Sequence, residues 1–390
     1  MKTFSAAFVN LLKTSIGSGV LSFPYLFKTY GIVPSILLTF ISGFFATCGL
    51  VLLTICSAGL GRSADLSKLA TQAFPSARIV VDLAVFLKCF GVSLSYIIIT
   101  KSLIPNVLNA MAFNSKFFLY SPVNLLIFLG FVGPFAYFSK LDNLKYTSFL
   151  GVFFIFLVIA ASIVRFIYSP VTADTSMFQP ISLDWTTGLG KFIFSFTCHQ
   201  NIFAVNAELD DNSFPRMKKL IKYVATTAFF MYISFGLTNY LIYGSDITNN
   251  ILEKYPNDYL GTFVRILYIF VMGVSFPLQM APARIYFMNM FHLSKPGKNS
   301  YVSRFIVTSF LILCAYLLAV SGVELGIVYS IVGATASCFM CLILPALFYL
   351  NLNIQKTIPL ILASYLSFIF GIFIFITTMV SLLIPKKETH

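Results

Sequence analysis

Long uninterrupted apolar runs constrain this chain more than any other feature of its sequence. Eleven runs are each long enough to cross a bilayer as a helix, which takes about 17–25 residues. Of the 390 residues, 58 % are hydrophobic and 10 % are charged, whereas about a quarter of the residues of a soluble domain are charged. A transmembrane β-barrel alternates apolar and polar residues along strands of about ten residues, and these runs do not alternate. The predicted spans are 5–28, 32–59, 79–108, 122–139, 147–168, 187–207, 221–243, 259–280, 302–320, 324–349 and 358–384.

The fold class predicted from these runs is an all-α polytopic membrane protein with about 11 transmembrane helices, forming a single transmembrane domain over 1–390. With the N-terminus in the cytosol, fifteen Lys and Arg residues fall in cytosolic segments and five on the opposite side. Cytosolic segments carry such an excess, so we expect a cytosolic N-terminus and a C-terminus on the other side. The net charge of +13 then faces anionic membrane lipids, and nucleic acid is not an expected partner.

A short amphipathic segment separates the second and third spans. Asp65 is a candidate N-cap, and apolar residues follow at helical spacing at 66, 69, 70 and 73. This pattern predicts a short helix over 65–74 that lies on the membrane surface.

The first apolar run carries Gly17-Ser18-Gly19 near mid-depth. Each Gly costs a helix interior about 1 kcal/mol relative to Ala, and Gly lets a backbone leave helical geometry or approach a ligand closely. Inside a bilayer, the backbone groups that a break frees need protein, water or a ligand as partner. We therefore predict a helix break here whose backbone groups bind a polar ligand. Close helix packing is the alternative use of such small residues.

The sixth apolar run has polar residues crowded at its centre, from Phe194 to Asn201. Polar and ionisable side chains are costly in hydrocarbon and by default indicate a functional site. The first and sixth runs are five apart, and transporters with inverted repeats pair two five-span halves whose interrupted helices hold the substrate at the midplane. The pattern predicts a second break at this position. A polar packing face between helices is the alternative.

Three segments resemble the amino acid/auxin permease family. Residues 10–25 (NLLKTSIGSGVLSFPY) look like the first helix of that family, 194–201 followed by 206–209 are similar to the sixth, and 277–284 resemble the end of the eighth. Fungal vacuolar amino acid transporters look more similar than the animal sodium-coupled neutral amino acid transporters. The resemblance implies the LeuT-like fold of the APC superfamily, with a first repeat over 5–168, a second over 187–349 and an extra helix over 358–384.

An α-amino acid offers a carboxylate and an ammonium to such a site. The carboxylate suits free N–H groups at the start of the second half-helix of the first span, where the helix dipole adds attraction. The ammonium suits carbonyls freed at the second break. The predicted substrate-binding residues are Thr14, Ser15, Gly17, Ser18, Gly19, Tyr96, Phe194, Ser195 and Thr197.

Lys13 lies about nine residues into the first span, which is roughly 13 Å at 1.5 Å per residue. The sodium-coupled relatives carry Asn at this place, and the resemblance puts a sodium site between spans one and eight, where Ser275 would lie. An ammonium there would replace a sodium ion, which favours proton coupling or no ion coupling. The alternative is a side chain that extends to the cytosolic headgroups.

His199 is a second ion-coupling candidate because the pKa of histidine lies near physiological pH. A hydrogen-bonded histidine without any coupling role is the competing interpretation. Lys88, Lys101 and Arg165 also lie within predicted spans, without an evident partner.

Secondary active transport of an amino acid is the favoured function. The proton is the expected coupling ion, and sodium is not required. A membrane sensor that binds an amino acid without turnover is the alternative, but the connecting loops are short for signalling. A channel would need a continuous polar lining. The sequence shows no catalytic pair, Walker loop or cofactor motif, and Cys338 and Cys341 have no second ligand pair for a metal. The vacuolar or another endomembrane is favoured, with the plasma membrane as the alternative.

Overall fold

The computed structural model describes residues 3–113, 115–138, 145–171, 174–293 and 300–384. The regular secondary structure of these residues is helical, as predicted. Six of the positive charges counted for the orientation lie outside the described residues: Lys2, Lys140, Lys295, Lys298, Lys386 and Lys387. The predicted membrane orientation stays a prediction.

The helices up to residue 168 follow the first five apolar runs. The first run is divided into two helices, and short helices lie before the third and fourth runs. The bounds are α1 Phe4–Ile16, α2 Phe23–Tyr30, α3 Ile32–Ser57, α4 Leu66–Ala73, α5 Arg78–Ala110, α6 Lys116–Leu119, α7 Ser121–Ala136 and α8 Lys145–Tyr168.

The helices from residue 183 onward repeat this order, because the sixth run is also divided and four helical regions follow it. A final helix then closes the described chain. The bounds are α9 Leu183–Phe196, α10 Ile202–Glu208, α11 Phe214–Tyr243, α12 Tyr259–Met290, α13 Ser300–Val320, α14 Leu325–Val332, α15 Leu344–Asn351 and α16 Ile358–Leu383. Two π-helical stretches, Gly333–Ser337 and Phe339–Ile343, connect α14 to α15.

Eight helical regions of the described chain are long and apolar enough to cross a membrane, and α1 with α2 forms a ninth as a bent pair. α7 is apolar but shorter, and the sixth run is divided between α9 and α10, each of which is short. The structure therefore matches a polytopic membrane protein, while the full count of eleven crossings stays a prediction.

The predicted helix between the second and third spans is present as α4. Its N-cap is Asp65, whose carboxylate accepts the Lys68 N–H at 2.8 Å. Leu66, Leu69 and Ala70 are fully buried against the protein, and α4 packs on α5. These apolar residues therefore pack within the chain, and the expected position of the helix on the membrane surface stays a prediction.

The two divided runs pack in a reciprocal way. α1 and α2 pack on α11, which is the helix that follows the second divided run, while α9 and α10 pack on α3, which follows the first. Likewise α1 packs on α8, and α9 packs on α14. The central pair is α5 and α12, the third helical region of each half. Both breaks therefore lie inside one shared core.

Candidate functional site

The first apolar run is interrupted where the sequence predicts it. α1 ends at Ile16, and a 3-10 turn covers Gly19–Ser22, so that the two halves of the run are bent by 41°. The first hydrogen bond of the new turn runs from the Leu21 N–H to the Ser18 carbonyl at 3.2 Å. Because the first amides of a helix lack intrahelical acceptors, the available N–H groups are those of Ser18, Gly19 and Val20.

The sixth run is interrupted just after Phe196. Thr197 adopts an extended conformation, with φ −79° and ψ 102°, before a 3-10 turn over His199–Asn201. The Phe194 carbonyl accepts the Thr197 N–H at 3.2 Å, whereas a continuous helix would use the amide four residues on. The predicted second break is confirmed, and it contains no glycine.

The two breaks are in direct contact. A Cβ atom built on Gly19 would lie 2.9 Å from the Cα of Ser195, which is closer than any side chain can approach. The Ser195 hydroxyl donates to the Gly19 carbonyl at 3.3 Å, and the Ser15 hydroxyl donates to the Ser195 carbonyl at 3.4 Å. Glycine at position 19 is therefore required by the contact, and the polar backbone of both breaks is gathered at one place.

Tyrosine hydroxyls from three helices hold the carbonyls that the first break frees. Tyr232 of α11 donates to the Ser15 carbonyl at 3.0 Å, and its oxygen is also 2.5 Å from the Ser195 carbonyl. Tyr268 of α12 donates to the Gly17 carbonyl at 3.1 Å, and Tyr329 of α14 donates to the Ser18 carbonyl at 2.8 Å. These neutral donors satisfy the break without adding charge.

A lysine holds the carbonyl at the second break. Lys88 of α5 donates from Nζ to the Phe194 carbonyl at 3.1 Å, and Nζ lies 3.7 Å from the centroid of the Phe194 ring. The Phe194 ring also packs on Tyr329, with 4.8 Å between ring centroids. The Phe194 carbonyl at the second break thus has a cation from the protein beside it.

His199 is fully enclosed, and both of its ring nitrogens have neighbours. Nε2 lies 3.1 Å from the Ala46 carbonyl, and Nδ1 lies 3.2 Å from the Cys341 sulfur. Cys341 in turn donates to the Thr197 hydroxyl at 3.2 Å. Gly49 makes room for this ring, because a Cβ there would lie 2.9 Å from Nε2. His199 is thereby tied to the second break through Thr197.

Lys13 is buried one turn before the first break, with 6 % of its surface exposed. A Cβ built on Gly151 of α8 would lie 3.3 Å from Lys13 Nζ, so the ammonium lies beside span five. The side chain therefore stays within the helix bundle. Ser275 is buried on α12, and one turn further on Gln279 Oε1 is a buried acceptor without a hydrogen-bond partner among the described residues.

The remaining predicted residues flank the two breaks. The Tyr96 hydroxyl is 3.1 Å from where a Cβ of Gly17 would lie. Asn201 donates to the Thr14 hydroxyl at 2.5 Å, which joins the second break to α1. The structure thus brings Thr14, Tyr96 and both breaks into one cluster.

A cavity lies near the loop that joins α11 to α12, and Tyr25 and Asn249 are among its lining residues. Lys191, one turn before Ser195, donates to Asn249 Oδ1 at 2.9 Å, and its Nζ lies 4.1 Å from the centroid of the Tyr25 ring. The cavity has a volume of about 650 Å³. Its lining includes one cation, Lys101, and two carboxylates, Glu253 and Glu324.

The family described as transmembrane amino acid transporter protein matches residues 2–384, which is nearly the whole chain. The chain belongs to this family. The resemblance stated from residues 10–25, 194–209 and 277–284 is therefore confirmed.

Curated members of this family are similar over most of their length. The chain is 28 % identical to Vacuolar amino acid transporter 5 of Saccharomyces cerevisiae, covering 98 % of each chain. It is 30 % identical to Vacuolar amino acid transporter 5 of Schizosaccharomyces pombe, covering 89 % of this chain and 84 % of the relative. Putative sodium-coupled neutral amino acid transporter 11 of Bos taurus is 26 % identical, covering 90 % and 76 %. These names are those of transporters rather than of enzymes.

In this member of the transmembrane amino acid transporter family, the side chains that donate hydrogen bonds to the carbonyls of the two breaks were not predicted from the sequence. Tyr232, Tyr268 and Tyr329 are three of 20 tyrosines, and 44 phenylalanines accompany them, so composition gives no reason to select them. Lys88 carried a usable signal, because a lysine in the middle of an apolar run needs a partner. The identity of that partner depends on the helix packing.

Proposed function

We propose that this chain is a secondary active transporter that moves amino acids across a membrane by alternating access, coupled to protons and independent of sodium. One observation carries the proposal: the two helix breaks contact each other through Gly19 and Ser195. Orphan amides and the carbonyls of the second break are thereby concentrated in one place within an apolar bundle. Family membership and the names of the relatives support an amino acid as the substrate.

The substrate's carboxylate binds the N–H groups at the start of the second half of the first span. These amides point toward an incoming ligand, and the dipole of α2 adds a positive partial charge. The amides are those of Ser18, Gly19 and Val20, and they begin the turn beside Ser195. The hydroxyls of Thr14 and Ser15 lie on the preceding turn, and Tyr96 covers Gly17.

The substrate's ammonium binds carbonyls at the second break. Phe194 and Ser195 offer carbonyl oxygens, and that of Ser195 contacts the Ser15 hydroxyl of the first break. Thr197 supplies the adjoining turn. Carboxylate and ammonium are separated by two bonds in an α-amino acid, so they need donors and acceptors only a few ångströms apart. The contact between the breaks at Gly19 and Ser195 brings both kinds of backbone group together.

Protons drive the cycle through Lys13 and His199. Lys13 puts a buried ammonium one turn before the first break. When it carries its proton, this ammonium disfavours a sodium ion nearby, which leaves the proton as the coupling ion. His199 joins the second break through Cys341 and Thr197, so a change in its charge would be felt at the substrate's acceptors.

The helix order and packing support a LeuT-like arrangement of two inverted five-span repeats and one extra helix. The reciprocal packing of α1 on α11 and of α9 on α3 is the pattern that two halves related by a pseudo-two-fold axis produce. The vacuolar relatives favour the vacuolar membrane as the location.

The experiment is uptake of a mixed panel of radiolabelled amino acids into proteoliposomes, under an imposed proton gradient and separately under a sodium gradient. We expect uptake that follows the proton gradient and ignores sodium. Uptake driven by sodium would contradict the coupling ion while keeping the transporter. Binding of an amino acid without uptake under either gradient would replace the transporter by a sensor.

A further inference from the structure

Lys88 is a buried cation that the mechanism above does not use. It lies ten residues after the start of α5, about 15 Å along the helix at 1.5 Å per residue, and 3 % of its surface is exposed. Its ammonium reaches from α5 to the second break, where it contacts the carbonyl and the ring of one residue, Phe194. The contact therefore connects the central helix pair to an interrupted helix.

Two other buried cations of the described chain, Arg165 and Arg265, have more hydrogen bonds. Arg165 pairs with the Asp258 carboxylate at 2.9 Å. The Arg265 guanidinium donates to the Leu252 and Tyr255 carbonyls and to the Asn257 side chain. Lys88 has three N–H donors but a single hydrogen bond among the described residues. An ammonium that is so incompletely satisfied costs free energy when buried, and few polar contacts besides those with Phe194 hold Lys88 in place.

The ionisable groups around Lys88 do not supply a countercharge. They come from its own helix, from the second break and from the π-helical stretch after α14. Within the described residues these groups are Cys89, Cys198, His199 and Cys341, and none of them is a carboxylate. The Phe194 carbonyl and the electron-rich face of its ring are therefore the two groups that stabilise the charge.

We propose that Lys88 is a tethered competitor for the substrate: its ammonium occupies the Phe194 carbonyl that the ammonium of an amino acid also requires, so one must leave before the other binds. The inference rests on the proposed function, because it assigns the substrate's ammonium to the second break. Two ammonium groups repel each other at one acceptor, since both charges would share a site of low dielectric constant. Substrate binding thus detaches α5 from the second break, and Lys88 is a positioning residue for that step.

The test compares binding of amino acids with binding of their deaminated analogues. The full chain is purified in nanodiscs as wild type and as Lys88→Met, which keeps the length of the side chain and removes its charge. Affinities are measured by calorimetry for L-alanine, L-leucine and L-glutamate, each beside propionate, isocaproate or glutarate. For each amino acid that binds, we expect Lys88→Met to raise the affinity about tenfold, the size of one competing charged hydrogen bond. The affinity for the deaminated acid should not rise.

The control variants separate competition from a general effect of mutation. Lys101→Met removes a cation from the same helix whose Nζ also donates to a carbonyl, that of Ala319 at 2.8 Å, and it should leave the affinities unchanged. Lys88→Arg keeps the charge, so it should show no gain and remains informative if Lys88→Met does not fold.

The following results would overturn the proposal. Weaker or unchanged binding of the amino acid to Lys88→Met would do so, as would an equal gain for the deaminated acid. If each analogue pair binds but neither member responds to Lys88→Met, the proposed transporter survives and the competition fails. If no amino acid binds wild type or variant, both the proposed function and this inference fail.

Discussion

The two helix breaks solve the same problem with different chemistry. At the first break, glycines flank Ser18, and neutral tyrosine hydroxyls satisfy the carbonyls of Ser15, Gly17 and Ser18. At the second break there is no glycine, and Lys88 satisfies the Phe194 carbonyl with a charge. The first break is thus suited to an anion on its amides, and the second already holds a cation on its carbonyl.

Under the proposed function, this difference explains how one site would bind a zwitterion. A carboxylate binds amides that have no intrahelical partner, so nothing has to be displaced at the first break. An ammonium must find a carbonyl, and at the second break each carbonyl that faces the site already has a donor from the protein. Binding at the second break is therefore an exchange of partners, whereas binding at the first is an addition.

The largest effect is expected where the breaks touch. Gly19→Ala would place a Cβ 2.9 Å from the Ser195 backbone, and because backbone atoms cannot give way as a flexible side chain can, the contact between the breaks is lost. We expect uptake to fall to background in proteoliposomes. The matched control is Gly130→Ala in α7, where a Cβ would meet nothing within 4 Å, and which should transport normally. Normal transport by Gly19→Ala would mean that the contact is not part of the site.

The next largest effect is expected at the ionisable residues beside the two breaks, Lys13 and His199. Lys13→Asn removes the buried ammonium before the first break, and His199→Gln removes the ring beside the second. If both couple protons, uptake by each variant should lose most of its dependence on the imposed proton gradient, and Lys13→Asn should gain a response to sodium. Uptake is measured against pH and sodium in separate series. Proton dependence that persists in His199→Gln would assign that ring a purely structural role.

A smaller effect is expected from the tyrosines. Tyr232→Phe removes the hydroxyl that touches carbonyls of both breaks, so we expect the free energy of unfolding to fall by about 2 kcal/mol. Tyr268→Phe removes one contact at the first break alone, and about half that loss is expected. Thermal unfolding in detergent measures both. Tyr316→Phe, whose hydroxyl makes a long 3.4 Å contact with the Pro122 carbonyl, serves as the control. Equal losses for all three would remove any special role of Tyr232.

The smallest effect is expected away from both breaks, at the ion pair of Arg165 with Asp258, the N-cap of α12. Partial burial alone would raise the pKa of Asp258, but the Arg165 guanidinium and the Gly261 N–H lower it below the ordinary value. The pair therefore adds stability that is complete above pH of about 3.9 and is lost as the pH falls through the lowered pKa.

Because Asp258 is 47 % exposed, Asp258→Asn should cost less than about 1 kcal/mol at neutral pH. Asn also serves as an N-cap, so Asp258→Ala should cost about 1 kcal/mol more. Unfolding midpoints between neutral and acidic pH measure this contribution. If this pair stabilised the wild-type protein more strongly at acidic than at neutral pH, the expected direction of the pH dependence would be wrong.

The sequence predicted the positions of the helices and of both breaks because those depend on local features. Apolar run length gives the spans, and Gly17-Ser18-Gly19 and the polar residues after Phe194 interrupt them. The partners of the breaks depend on how α5, α11, α12 and α14 are rotated and packed, which no local pattern encodes. For the same reason the sequence did not predict that α4 packs on α5.

The most direct measurement is a structure of this chain determined with a transported amino acid bound. We expect the carboxylate to lie within hydrogen-bond distance of the amides of Ser18, Gly19 and Val20. We expect the ammonium to lie on the Phe194 carbonyl, with Lys88 displaced from that oxygen. An amino acid bound instead in the cavity near Lys101, Glu253 and Glu324, with Lys88 still on Phe194, would contradict the account.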